Sequence, residues 1–124
     1  MPLLKKLPES ELEIMRVAWS LGGPVATPQI SAAISGAKDW APQTILTLLT
    51  RLEAKGFLTS EKRGKERYFT PAVSEGEYLL FESENFLETF HKNSLLGMMN
   101  ALYDGKVIGE KDTDELRRWL DERK

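Results

Sequence analysis

The stretch Asp39-Trp40-Ala41-Pro42-Gln43-Thr44-Ile45-Leu46-Thr47-Leu48-Leu49-Thr50-Arg51-Leu52-Glu53-Ala54-Lys55-Gly56 decides the reading of this 124-residue chain. Ile45, Leu48, Leu49 and Leu52 recur at i, i+3, i+4 and i+7, the spacing of one apolar helix face. Pro42 suits the first helical position, where a missing N–H loses no partner. Gly56 suits the position just past the helix end. The spacing predicts a helix over residues 41–55. Its other face carries Gln43, Thr44, Leu46, Thr47, Thr50 and Arg51. Threonine is a mediocre helix former, and exposed helix positions usually favour Glu, Lys or Ala. Three threonines at i, i+3 and i+6, with no acid on that face, point to a ligand surface rather than an ordinary solvated face.

Working outward, Leu12, Met15 and Trp19 follow i, i+3, i+7 within Glu9–Leu21, and Ile14, Ala18 and Leu21 widen that stripe. Pro8 suits the helix start, Glu9 and Glu11 suit its positive end, and Gly22-Gly23-Pro24 stops it. Val25-Ala26 is a scrap of strand. Thr27-Pro28 reads as N-cap plus first helical residue of a short helix with Ile30, Ala33 and Ile34, ending near Gly36. On the other side, Phe57–Lys62 reads as a strand, Arg63-Gly64-Lys65 as a turn, and Glu66–Thr70 as a second strand closed by Pro71. Lys62, Arg63, Lys65 and Arg67 surround the hairpin tip, with Glu66 as the acid among them.

Three short helices followed by a basic hairpin is the element order of a winged helix-turn-helix. Helices one and two would support helix three in a DNA major groove. Short polar side chains let the backbone come close and hydrogen-bond base edges or phosphates. The hairpin, or wing, would reach a flanking phosphate run. A protein-docking module without DNA binding uses the same parts, and both readings stay open at this level.

From Ser74 onward the chain reads as helical: about Ser74–Lys92, then a stretch through Tyr103, a loop over Asp104–Gly109, and about Glu110–Arg123. The expected class is therefore mainly α with a small β-hairpin wing. A winged helix domain (residues 1–71) precedes a helical dimerisation region (72–124). About fifty residues of amphipathic helix are too few to bury their own faces well, so they need the first domain or a second copy of themselves. The apolar set Leu79, Phe86, Phe90, Leu95, Met98, Met99, Leu102, Leu116, Trp119 and Leu120 is the expected dimer interface.

Charge divides along the same line. The whole chain has a formal net charge of −2. Residues 1–71 hold 10 bases and 7 acids, net +3, and residues 72–124 hold 7 bases and 12 acids, net −5. A weakly acidic total thus conceals a basic first part and an acidic second part, which suggests two jobs.

The segment Lys38–Leu58 closely resembles the helix-three signature of the penicillinase-repressor family (the BlaI/MecI/CopY type). So do Leu7-Pro8-Glu9-Ser10-Glu11-Leu12-Glu13-Ile14-Met15 with Trp19, the wing segment Arg67-Tyr68-Phe69-Thr70-Pro71, and the last helix with Asp114-Glu115-Leu116-Arg117. The resemblance implies a bacterial transcriptional repressor that binds a pseudo-palindromic operator as a homodimer through helix 41–55 and the wing 58–71. By motif match it implies that Gln43, Thr44, Leu46 and Thr47 face the bases. It sets Thr50, Arg51, Lys62, Arg63, Lys65 and Arg67 against the DNA backbone, and gives Trp40 and Tyr68 phosphate contacts or a structural role. Leu46 departs from the polar or basic side chain common in the family, and an apolar side chain suits a thymine methyl. Gln43 stands where lysine is common. The penicillinase branch is induced by proteolysis near an Asn–Phe pair, which implies a membrane sensor-protease as partner. Ungapped alignment puts Ala101-Leu102 there, with Asn100 one position early.

Other chemistry is poorly provided for. No Cys and one His leave no disulfide, no thiolate nucleophile, no cysteine copper site and no two-His metal grip. His91 reads as a structural or surface residue, and Glu84 with Glu88 as a solvated acidic face. No phosphate-binding glycine motif and no Ser/His/Asp set has a credible context. No enzyme activity, cofactor or metal is expected. The opening residues lack the apolar core of a signal peptide, and no apolar run reaches the ~20 residues of a spanning helix, so the expectation is a cytoplasmic protein.

Overall fold

The computed structural model describes residues 4–34 and 39–124. The expected end of helix two near Gly36, and Lys38 of the helix-three signature, lie outside them. In chain order the described elements are α1 (Glu9–Leu21), β1 (Val25–Ala26), α2 (Thr27–Ile34), α3 (Pro42–Ala54), β2 (Leu58–Arg63), β3 (Glu66–Pro71), α4 (Glu75–His91), α5 (Leu95–Asp104) and α6 (Glu110–Glu122). The chain forms two compact units, residues 1–82 and 83–124, and the division falls within α4. Among the described residues no helix is long and apolar enough to cross a membrane.

The first unit is a winged helix. Ile45, Leu48, Leu49 and Leu52 of α3 are all buried, as their spacing predicts. They meet Ile14, Met15 and Ala18 of α1, Ile30 and Ile34 of α2, and Phe57, Leu58 and Phe69 of the wing base. Burial of each large apolar side chain stabilises the unit by about 1.5–3 kcal/mol. Pro42 is the first residue of α3 after the cap Ala41. Gly56 ends the helix at φ +85°, a left-handed conformation that glycine adopts freely. Phe57 N–H then donates to Leu52 O at 2.9 Å and Gly56 N–H to Glu53 O at 3.0 Å, the paired bonds of a Schellman stop. That stop turns the chain directly into β2.

The sheet has three antiparallel strands in the order β1-β3-β2. The scrap Val25-Ala26 is its third strand: Val25 pairs with Phe69 and Ala26 with Tyr68. Both residues are buried, which is why two residues suffice. The turn is shorter than the three-residue one expected, because β2 extends through Arg63. Gly64 takes the first turn position at φ +66°, the geometry that matches hairpin twist.

Two features depart from the apolar pattern. The buried stripe of α1 is Glu11, Ile14, Met15 and Ala18. This is rotated from the expected stripe: Leu12 and Trp19 are half-buried at its margin, and Leu21 is exposed. An acid occupies the core face because Lys55, at the end of α3, reaches its carboxylate at 2.5 Å. The second departure is Tyr78. It lies beyond the composition boundary at residue 71, yet it is 2% exposed in the core of the first unit. Its ring packs among Trp19, Phe57 and Phe81 with centroids 5.6–6.1 Å away. Trp19 Nε1–H donates to Val73 O at 2.9 Å, fastening the segment between β3 and α4.

In the second unit, Ser94 caps α5 by accepting from Gly97 N–H at 2.9 Å, so a new helix starts there. The left-handed residues Lys92 (φ 51°) and Asn93 (φ 63°) make the break. No residue of α5 or α6 is buried. Phe86, Phe90, Leu95, Leu96, Trp119 and Leu120 are all exposed in the single chain.

Candidate nucleic-acid interface

The interface is built on α3. Because the four leucine and isoleucine positions turn inward, Gln43, Thr44, Leu46, Thr47, Thr50 and Arg51 are all exposed. Two of the threonines are already committed. Thr47 Oγ1–H donates to Gln43 O, and Thr50 Oγ1–H to Leu46 O, each at 2.9 Å. Those hydroxyls have spent their protons on the helix backbone and offer outward only oxygen lone pairs and a methyl group. Trp40, just before α3, is half-buried and packed against the core. Its position accounts for a structural role without any ligand.

Strand register sorts the wing bases onto two faces. Lys62 stands directly opposite Arg67, on the face that carries Ser60 and Phe69. Arg67 donates to Ser60 Oγ at 2.9 Å, and Ser60 donates to Glu53 Oε2 of α3 at 2.7 Å. This face therefore adjoins the C-terminal end of α3. Arg63 lies on the other face with Tyr68, Glu61 and Glu66. Its guanidinium is 3.4 Å from Glu61 and 5.2 Å from the Tyr68 ring centroid. Lys65 sits in the exposed turn. The basic cluster seen in sequence thus divides: Lys62 and Arg67 share the face that adjoins α3, Arg63 lies on the opposite face beside Glu61, and Lys65 occupies the turn.

Counted by the compact units, the local character of this charge becomes plain. Residues 1–82 hold 10 bases and 10 acids, net zero. Any attraction for a polyanion therefore comes from the arrangement of bases and not from the total.

Three supporting residues escaped the sequence reading. Glu11 and Lys55 join α1 to the end of α3; the signal was Glu11 standing at i with Ile14, Met15 and Ala18 at i+3, i+4 and i+7. Tyr78 accepts from Leu7 N–H at 2.8 Å and donates to Glu82 Oε2 at 2.7 Å. Burial pushes its phenol up to about 12, the Glu82 carboxylate adds to the rise, and the Leu7 N–H opposes it.

The expected interface set of the C-terminal helices is exposed or half-buried throughout: Leu79 at the start of α4, and Phe86, Phe90, Leu95, Met98, Met99, Leu102, Leu116, Trp119 and Leu120 in the second unit. Within that unit, α5 and α6 flank an open groove of about 700 Å³ lined by Leu96, Met99, Tyr103, Ile108 and Leu116 among others. Ala101 and Leu102 lie inside α5. That differs from the exposed loop tips where nicking concentrates. Among the described residues no group of three His, Cys, Asp or Glu side chains is arranged to hold a metal.

An exposed third helix, held by two others beside a three-stranded sheet that ends in a hairpin wing, defines the winged helix-turn-helix class. The chain belongs to the penicillinase repressor family, whose profile matches residues 7–122. That is a family of transcriptional repressors and not of enzymes. The chain is 34% identical to the penicillinase repressor of Bacillus licheniformis, over 98% of this chain and 96% of that protein. It is 27% identical to the methicillin resistance regulatory protein MecI of Staphylococcus aureus (strain N315), over 95% of each. Among solved structures, the DNA-binding domain of the repressor BlaI matches with a TM-score of 0.55 and 33% identity, over 63% of this chain and 94% of that one. The monomeric Bacillus licheniformis BlaI in complex with the blaP half-operator matches with a TM-score of 0.53 and 33% identity, over the same shares of 63% and 94%.

Proposed function

We propose that two copies of this chain bind a pseudo-palindromic operator in the bacterial cytoplasm and repress transcription there. Each copy lays the outer face of α3 in a major groove. Gln43, Thr44, Leu46 and Thr47 meet base edges. Thr50, Arg51, Lys62, Arg67 and Lys65 meet the sugar–phosphate backbone, with Arg63 as a weaker contributor. The observation that carries this reading is the outer face of α3 from Gln43 to Arg51, exposed and without an acid, with Lys62 and Arg67 on the wing face that adjoins the end of the helix. The relative BlaI is solved in complex with the blaP half-operator, which supports DNA binding by this chain.

The helical segment after residue 71 serves dimerisation in this proposal. Exposed Phe86, Phe90, Leu95, Trp119 and Leu120, in a unit whose last two helices hold no fully buried residue, need a covering surface. A second copy supplies it with twofold symmetry, and presents two recognition helices to half-sites about one helical turn apart, ~34–36 Å.

The test is fluorescence anisotropy of a duplex selected by the full chain from a random-sequence pool, titrated at several salt concentrations. Binding should weaken with a log–log slope of about −0.9 per neutralised phosphate. Affinity independent of salt contradicts the proposed interface. A folded protein that selects no duplex at low salt is instead a protein-docking module.

A further inference from the structure

We infer that Leu46 is a specificity-determining residue that reads the methyl group of a thymine in the major groove, with Thr47 and Thr50 closing the patch around it. The inference rests on the DNA-binding proposal and names the base that this part of α3 takes. Leu46 is 40% exposed on the flank of the outer face, between Thr50 at i+4 and the buried Leu49, although the core stripe of the same helix is fully occupied. Its helical neighbours Thr47 and Thr50 have committed their hydroxyl protons to Gln43 O and Leu46 O. The part of the face around Leu46 and Thr50 is therefore poor in donors. What it presents is an isobutyl group, threonine methyls and oxygen lone pairs.

That surface suits one base-pair type. Guanine shows two acceptors in the major groove, N7 and O6, and calls for donors such as Arg or Lys. The C5-methyl of thymine is the apolar feature of the major-groove edge, and the paired adenine adds an N6–H₂ donor. A threonine oxygen whose proton is spent accepts from that donor while Leu46 covers the methyl. Cytosine lacks the methyl, so Leu46 separates thymine from cytosine where hydrogen bonding alone is permissive.

The experiment uses the full chain and a duplex it has selected from a random-sequence pool. Each thymine of a half-site is replaced in turn by deoxyuridine, which removes the methyl and keeps every hydrogen-bonding group. Burial of one methyl corresponds to about fourfold in affinity, from ~0.8 kcal/mol per carbon at 1.36 kcal/mol per tenfold. The expected result is a loss of about fourfold at one thymine per half-site, and no loss at that thymine in Leu46→Ala. Because Leu46 is exposed, that variant should fold. Leu46→Arg should move the selected base at that position from thymine to guanine. The inference is overturned if the parent chain tolerates deoxyuridine everywhere, or if Leu46→Ala keeps the same penalty. If no duplex is selected at all, the DNA-binding proposal fails and this inference falls with it.

Discussion

Tyr78→Phe removes one oxygen and tests how the first unit is closed. The Tyr78 side chain is buried, and its oxygen is the partner of the Leu7 N–H at 2.8 Å. Leu7 is itself buried, so the N–H becomes an orphan, which costs about 1–3 kcal/mol. The Glu82 carboxylate is half-buried and regains water, so its lost bond at 2.7 Å adds little. A net loss of about 2 kcal/mol should lower Tm by roughly 8–16 °C for a unit of this size. The pH dependence carries a second signature. The Tyr78 phenol is raised to about 12 from the ordinary 10.0. The protonated phenol is the form that the fold favours, so its contribution is complete below pH 10 and is lost as pH rises towards 12. Two pKa units correspond to about 3 kcal/mol. Thermal melts of both proteins from neutral pH to pH 12 should therefore show a gap that narrows to nothing. Lysine titration is common to the two proteins and cancels in the difference. A Tm change under about 2 °C at neutral pH, or a gap that stays constant with pH, refutes the account.

Three further outcomes follow from the geometry. Lys62→Ala and Arg67→Ala should each weaken binding to all duplexes alike and reduce the salt slope by about 1. Arg63→Ala should change it less, since Arg63 is paired with Glu61 and stacked on Tyr68; anisotropy across a salt series checks the order. Lys55→Met should destabilise by about 1–3 kcal/mol in denaturant melts, below the full cost for a buried pair because Lys55 is 30% exposed. Adding Glu11→Leu should recover most of that loss, and a double variant no better than the single one would contradict the pairing. Trp119→Asp with Phe86→Asp should convert a dimer to a monomer in sedimentation, and an unchanged mass would remove these helices from the dimer interface.

Local sequence settled a good deal of this protein. The α3 helix from Pro42 to Ala54, its inward Ile45-Leu48-Leu49-Leu52 face, its stop at Gly56 and the hairpin around Gly64 all follow from side-chain spacing and from backbone preferences of neighbouring residues. The outer face of α3, and hence the candidate interface, came with them. Tertiary structure alone decided the rest, because the partners are distant in sequence. Glu11 is buried on account of Lys55, 44 residues away. Tyr78 joins the first unit through Leu7, 71 residues away. Val25-Ala26 becomes a strand only because β3 stands beside it. The four wing bases, contiguous in sequence, part company because side chains alternate across a strand and register decides which ones share a face. Periodicity tells which residues of one helix point together. Which charge is sheltered, which is paired and which shares a face with α3 depends on what the fold brings against it.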